Sequence, residues 1–281
     1  MKSVLRVGLR RGLLEIKEFF REKDAVIFTA ALPAVMLILF AAIFHFKAPG
    51  TNVPAAEIYT TGLMAGGVAS TSFVSMAVAI AVERDTGGLK RLAGTPMPRS
   101  AYFIGKVIRV IVLSVIEIAL LLLIGIIFYH VKPPRTMALW WRLLWLTLLG
   151  SAVMGVLGVA ISSLPRSSRS APAVVNLPFI VLEFLSGIFI PFFMLSKAIQ
   201  HFSLLLPLAQ LAEGYRSVLL PPTFAHLEVG GSWNQLAVLE NLLAWLVIGF
   251  VASVFSFSWG TERVLIPRPK AALKPGPKTI D

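Results

Sequence analysis

The chain contains no cysteine, which removes disulfides, thiol nucleophiles and thiolate metal sites from consideration. It is also poor in charge. Acidic and basic residues together make up 14% of the 281 residues, where a soluble domain carries roughly 25%. The four histidines, His45, His130, His201 and His226, are scattered without metal-ligand spacing. No G-x-x-x-x-G-K-[ST] occurs. The only Gly-Lys pair is Gly105-Lys106, followed by Val107, so no phosphate cradle is encoded. No serine sits in a G-x-S-x-G turn. The expectation is therefore a non-catalytic chain with no catalytic residue, no metal site and no cofactor of its own.

What the chain has in quantity is apolar sequence. Hydrophobic residues make up 57% and mean hydropathy is +0.81, more apolar surface than a water-soluble core of this length could hide. Apolar runs of spanning length fall at about 25–46, 58–82, 103–129, 141–162, 172–195 and 239–260, each near the ~20 residues a helix needs to cross the hydrocarbon layer. Lipid forbids unpaired backbone, so the expected fold is an all-α polytopic membrane protein with six transmembrane helices over residues 25–262. The stretch 188–220 is apolar too, but Pro191 and Pro207 cut it. It reads as a re-entrant or surface-lying helical hairpin between spans five and six, opened by a break at Gly187 and Pro191.

Only Lys47, Lys132, Arg135, Arg142, Lys197 and Arg216 of the 26 lysines and arginines fall outside if both termini are placed in the cytoplasm. This bias sets that orientation and accounts for most of the +12 charge. The basic residues are spread over four inner segments rather than gathered on one face, so no nucleic acid is expected. Before the first span, Leu5, Leu9, Leu13, Ile16 and Phe20 recur at helical spacing. Residues 1–24 therefore read as an amphipathic helix lying in the bilayer interface. Residues 263–281, rich in proline and lysine, read as a disordered cytoplasmic tail.

The most informative stretch lies between spans two and three. Gly87 and Gly88 break the preceding helix, and Pro96 and Pro98 end the segment after it. A helix of about two turns fits between, with Leu89, Leu92 and Ala93 on one face and Lys90 and Arg91 elsewhere. A basic loop that only fixes topology is the plainer reading. However, Glu83-Arg84-Asp85, Gly87, Leu89-Lys90-Arg91-Leu92 and Thr95-Pro96 resemble the coupling-helix segment of ABC type-2 exporter permeases, roughly E-R-E-x-G-T-L-x-x-L-x-x-T-P. Asp85 replaces the usual Glu, and Gly88 the usual Thr. Later, Asn176-Leu177-Pro178, Leu185 through Pro191, Leu206-Pro207-Leu208 and Glu213-Gly214-Tyr215-Arg216 match that family's pattern in order. The subgroup it is most similar to is the daunorubicin-resistance type of drug or lipid exporter subunit.

The resemblance implies a permease subunit in a bacterial plasma (inner) membrane. A separate ABC ATPase would carry ATP and magnesium and dock on the 84–96 helix. A second permease chain, identical or paralogous, would complete the pathway within the lipid bilayer. The coupling residues would be Glu83, Arg84, Asp85, Gly87, Leu89, Lys90, Arg91, Leu92, Thr95 and Pro96.

Two carboxylates, Glu117 and Glu183, fall inside spans, where charge costs at least ~2.5–3.5 kcal/mol at the bilayer centre. Each must be protonated, paired or beside a wet cavity. Glu183, just before the Gly187 break, is the better substrate-path candidate, and Glu117 reads as a helix-packing group. Gly62, Gly66 and Ser70 form a small-residue stripe suited to close helix packing or to a polar path. Phe73, Met76, Phe179 and Phe184 could line an apolar one. Alternatives to a drug- or lipid-exporting permease are a proton- or ion-coupled secondary transporter using Glu117 and Glu183, and an ABC permease for polysaccharide or glycolipid. The short outer loops favour a hydrophobic cargo over a long polysaccharide.

Overall fold

Backbone that leaves water must satisfy its own hydrogen bonds, and a single apolar run can do this only as a helix. The computed structural model describes residues 2–257, and among them there are helices and short helical turns but no strand. Four helices are long and apolar enough to cross a bilayer: the continuous Ala55–Asp85, then Arg99–Tyr129, Met137–Ile161 and Gln235–Ser256. Ala31–Ile43 and Ala171–Leu185 are shorter apolar helical stretches. The molecule is an all-α polytopic membrane protein.

The chain begins with α1 (Lys2–Arg21), interrupted at Glu22 before α2 (Lys23–Ile43). The apolar row of α1 does not face protein. Leu5, Leu9, Leu13 and Phe20 are exposed, which suits a helix resting on lipid. Its protein-facing side is Gly8, Gly12, Glu15 and Phe19, packed on the start of α6 (Arg99–Tyr129). A Cβ at Gly8 would lie 2.5 Å from Ile104 Cγ2, and one at Gly105 would lie 2.7 Å from Arg11 Cγ. These glycines let the two backbones approach closely.

The second span is α3 (Ala55–Ala69) and α4 (Ser75–Asp85), joined without a break by a π-helical turn at Ser70–Val74. It is the buried axis of the bundle, and α2, α6, α7 (Met137–Ile161) and α8 (Ala171–Leu185) gather around it. Gly158 of α7 meets that turn so closely that a Cβ would stand 2.5 Å from the Phe73 carbonyl oxygen. The short α5 (Gly88–Ala93) comes directly after α4.

The apolar run 172–195, expected as one span, is broken. Helix α8 stops at Leu185 after fifteen residues, ~22 Å at 1.5 Å per residue against a hydrocarbon layer of ~30 Å. Gly187 takes φ +77, and a Cβ there would sit 2.8 Å from Phe192 Cβ, so the reversal requires glycine. Beyond it the chain returns against α3, with Ile188 Cα 3.3 Å from where a Cβ on Gly62 would be.

A short α9 (Lys197–Ser203) leads to α10 (Pro207–Leu219), all thirteen of whose residues are buried. Helix α10 interlocks with α7: Leu146 fills the gap at Gly214, and Leu211 the gap at Gly150. The expected hairpin is thus a helical plug seated among α3, α7 and α11 (Gln235–Ser256). The end of the run expected at 239–260 and the tail 263–281 lie outside the described residues.

Candidate coupling site and buried charges

Gly87 adopts φ +76, a left-handed turn that ends α4 and starts α5. Helix α5 has six residues, and its two leucines face inward. Leu89 is fully buried with Met76, Ile80, Tyr102, Val110 and Val159, and Leu92 and Met97 pack beside it. Lys90, Arg91, Thr95 and Pro96 are exposed. Arg91 donates to the Thr86 carbonyl at the end of α4, at 3.4 Å. Thr95 Oγ1 donates to the Leu92 carbonyl at 2.7 Å and closes the helix end.

The three charged residues before this helix turn inward or sideways, Glu83 to α6 and Arg84 and Asp85 to the segment after α7. Glu83 accepts from Tyr102 Oη and from Lys106 Nζ, both at 2.6 Å. Arg84 donates to the carbonyls of Ser162 at 2.8 Å and Pro165 at 2.7 Å, fixing the segment after α7. Asp85 Oδ2 accepts from the Ser168 N–H at 2.8 Å. Of the ten residues the motif suggested for partner contact, Lys90, Arg91, Thr95 and Pro96 form the outward surface. Glu83, Arg84, Leu89 and Leu92 instead hold it in place, and exposed Asp85 ties its base to Ser168.

Glu83 belongs to a longer chain of charges that the motif did not suggest. Lys106 also lies 3.2 Å from Glu15 Oε1, and Arg11 Nε lies 3.1 Å from the same oxygen. Lys106 and Glu15 are each only 3% exposed. The series Arg11, Glu15, Lys106 and Glu83 alternates in sign and joins α1, α6 and α4. Arg109 adds a second tie, its guanidinium 5.6 Å from the Phe19 ring centroid. A sequence signal existed: Lys106 stands inside the apolar run beginning at 103, and a cation there needs a partner.

The intramembrane carboxylates sit on opposite sides of one glycine pair. Glu117 accepts from Thr71 Oγ1 at 2.6 Å within the π turn, and a Cβ at Gly67 would lie 2.5 Å from its Oε1. Glu183 of α8 lies against Gly66, 3.1 Å from that glycine's Cβ position. Gly62 and Gly66 of the expected stripe therefore pack within the chain against Ile188 and Glu183, and Gly67 beside them receives Glu117. Phe73 and Phe179 stack at 5.9 Å in the buried core. Phe184 is exposed and meets Phe189 edge-on at 5.0 Å. Ser70 is half-buried in the π turn, and Met76 lies beneath Leu89. The suggested path residues are thus divided between a closed core and the outer side of α8.

In the α10 plug, each residue of Glu213-Gly214-Tyr215-Arg216 has a task. Arg216 donates Nε to Glu228 Oε1 at 2.5 Å and Nη2 to Oε2 at 3.0 Å. Its guanidinium stands 5.3 Å from the Phe192 ring centroid. Tyr215 Oη and Thr147 Oγ1 are 3.1 Å apart. Glu213 Oε1 accepts from the Asn234 N–H at 3.3 Å. Burial pushes the Glu213 carboxyl up to about 7, with the Glu228 charge adding to the shift and Arg216 and the Asn234 N–H opposing it. Glu228, the counter-charge for Arg216, lies beyond the Glu213–Arg216 motif and was not singled out by sequence.

Against known proteins, the model of the ABC-2 type transporter family matches residues 10–220, which takes in the second half of α1, the motif helix and the plug through α10. A comparison with curated proteins gave no match.

Proposed function

The chain belongs to the ABC-2 type transporter family, and on that footing we propose that it is the membrane half of an ATP-driven exporter, coupled through α5 to a separate ATPase. The observation that carries the reading is the division of labour in residues 83–96. Lys90, Arg91, Thr95 and Pro96 are presented outward. Beneath them Leu89 is buried, and Glu83, Arg84 and Asp85 tie the base of the helix to α6 and to the segment after α7. A push on such a helix moves several spans together, because packed elements shift as units.

ATP and magnesium would be held by the ATPase, and two permease chains, identical or paralogous, would enclose the pathway. Both termini would face the cytoplasm of a bacterial inner membrane, with six crossings, the fifth being short α8. The cargo suited to this apolar bundle and its closed outer plug is a hydrophobic drug-like molecule or a lipid. A polysaccharide or glycolipid needs a wider path. Membership of this family displaces the ion-coupled secondary transporter as a reading.

The test is co-purification of the chain with its ATPase, followed by ATP hydrolysis in liposomes. Reversal of both exposed cations, Lys90→Glu with Arg91→Glu, should abolish capture of the ATPase while leaving unfolding within about 0.5 kcal/mol of wild type, as expected for exposed sites. Full capture and full coupled hydrolysis in this variant would overturn the docking surface.

A further inference from the structure

An apolar groove of about 460 Å³ runs between α6, α7 and α11, within the ~300–1,000 Å³ of small-molecule sites. Val107 and Val110 of α6, Val156 of α7, and Phe250 and Val254 of α11 form its walls. Among the described lining residues the only charge is Arg99, the exposed first residue of α6, at the end of the bundle that carries α5. Gly155 leaves its middle open: the nearest atom to a Cβ there is Met76 Cε at 3.9 Å. The outer side of α11 around the groove, with Val247, Val251 and Phe255, is exposed apolar surface that faces hydrocarbon in a bilayer.

The groove also shares its walls with the seat of α5. Met76, Val110, Val159, Phe103 and Phe257 line it and also pack in the cluster that buries Leu89. Whatever fills the groove therefore presses on the side chains that hold the motif helix.

We propose that this groove binds an anionic phospholipid of the leaflet at the α5 end, with an acyl chain along α11 and the phosphate at Arg99. A mostly apolar groove opening on hydrocarbon favours an apolar occupant over water, and an acyl chain is the one that a bilayer supplies. An exposed arginine at the mouth of the groove selects an anionic headgroup over a zwitterionic one. The bound chain completes the packing under Leu89 and so tunes how firmly α5 is held.

The experiment is native mass spectrometry of the detergent-solubilised chain after exposure to phosphatidylglycerol or phosphatidylcholine, for wild type, Arg99→Gln and Gly155→Leu. Wild type should retain phosphatidylglycerol about fivefold better, the worth of one basic residue at an anionic surface. Arg99→Gln should bring the two lipids to parity. Gly155→Leu, which projects into the open groove and replaces a poor helix former, should lose one bound lipid of either kind while unfolding at the wild-type temperature. Undiminished phosphatidylglycerol in Gly155→Leu would overturn the proposal. So would a wild type that holds both lipids equally, or an unchanged preference in Arg99→Gln. The assay needs no ATPase, so its failure would leave the reading of α5 standing.

Discussion

Lys106 is the member of the charge chain joining α1, α6 and α4 whose loss should be felt most. Its ammonium is shared by two carboxylates, Glu83 at 2.6 Å and Glu15 at 3.2 Å. The lysine and Glu15 are each 3% exposed, and Glu83 is 24% exposed. Water cannot replace a counter-charge at such depth. Lys106→Met would leave Glu15 with Arg11 as its one counter-charge and Glu83 with the Tyr102 hydroxyl alone, the two carboxylates facing each other across an apolar side chain. Removing one partner of a buried ion pair costs about 3–5 kcal/mol, because the remaining charge stays desolvated.

Glu83→Gln should cost less, about 1–3 kcal/mol for a buried hydrogen-bond partner made imperfect, since Lys106 keeps Glu15. The combination Glu15→Gln, Lys106→Met and Glu83→Gln should recover stability relative to Lys106→Met alone, because it removes the two carboxylates that the lost ammonium had balanced. Unfolding of the solubilised protein by titration with sodium dodecyl sulfate measures all of these on one scale. A loss in Lys106→Met under about 1 kcal/mol, the value of an exposed pair, would refute the reasoning. So would a triple variant no more stable than the single one.

The geometry sets three further outcomes. Arg84→Lys should destabilise by about 1 kcal/mol in the same titration, because an ammonium does not reproduce the planar fork that reaches the Ser162 and Pro165 carbonyls together. Gly187→Ala should be far more damaging than Gly87→Ala, as read from melting temperatures. Both glycines have positive φ, which costs an L-residue about 1–2 kcal/mol, but only at Gly187 would the new Cβ collide, 2.8 Å from Phe192 Cβ. Glu213 should make stability pH-dependent. Its carboxyl is raised to about 7 in the folded state from 4.5, so the protonated form is the one the fold favours. The contribution is complete below about pH 4.5 and is lost as pH rises through about 7. Thermal unfolding between pH 5 and 8 should show wild type weakening with pH and Glu213→Gln showing a flatter profile. An equal slope in both would assign the effect elsewhere.

Much of the architecture was legible because the bilayer leaves few choices. Long apolar runs had to be helices, and those at 58–82, 103–129 and 141–162 lie within the observed helices or overrun them by a single residue. The position of α5 could be read from Gly87 and the prolines after it, and the inward face of Leu89 and Leu92 from helical spacing, although Ala93, expected on that face, is exposed at the helix end. The fifth run was harder. Hydropathy does not register the reversal at Gly187, because Ile188 through Phe193 are apolar whether they continue a helix or fold back on α3. On α1 the conspicuous leucines mark an exposed face, but the protein-facing side is built on Gly8 and Gly12, residues without side chains to advertise it.

Local sequence alone determined which segments are helical, which loop is charged, and that the chain carries the motif of a permease. Only tertiary structure decided what the charges do. Glu15 and Lys106 are 91 positions apart in sequence and meet because glycines bring α1 onto α6. Arg216 finds Glu228 because α10 is buried, and Glu117 finds Thr71 because α3 bulges by a π turn beside it. Helix formation is a matter of neighbours along the chain and of solvent, whereas pairing a charge in a medium without water depends on which distant helices can come close enough to share it.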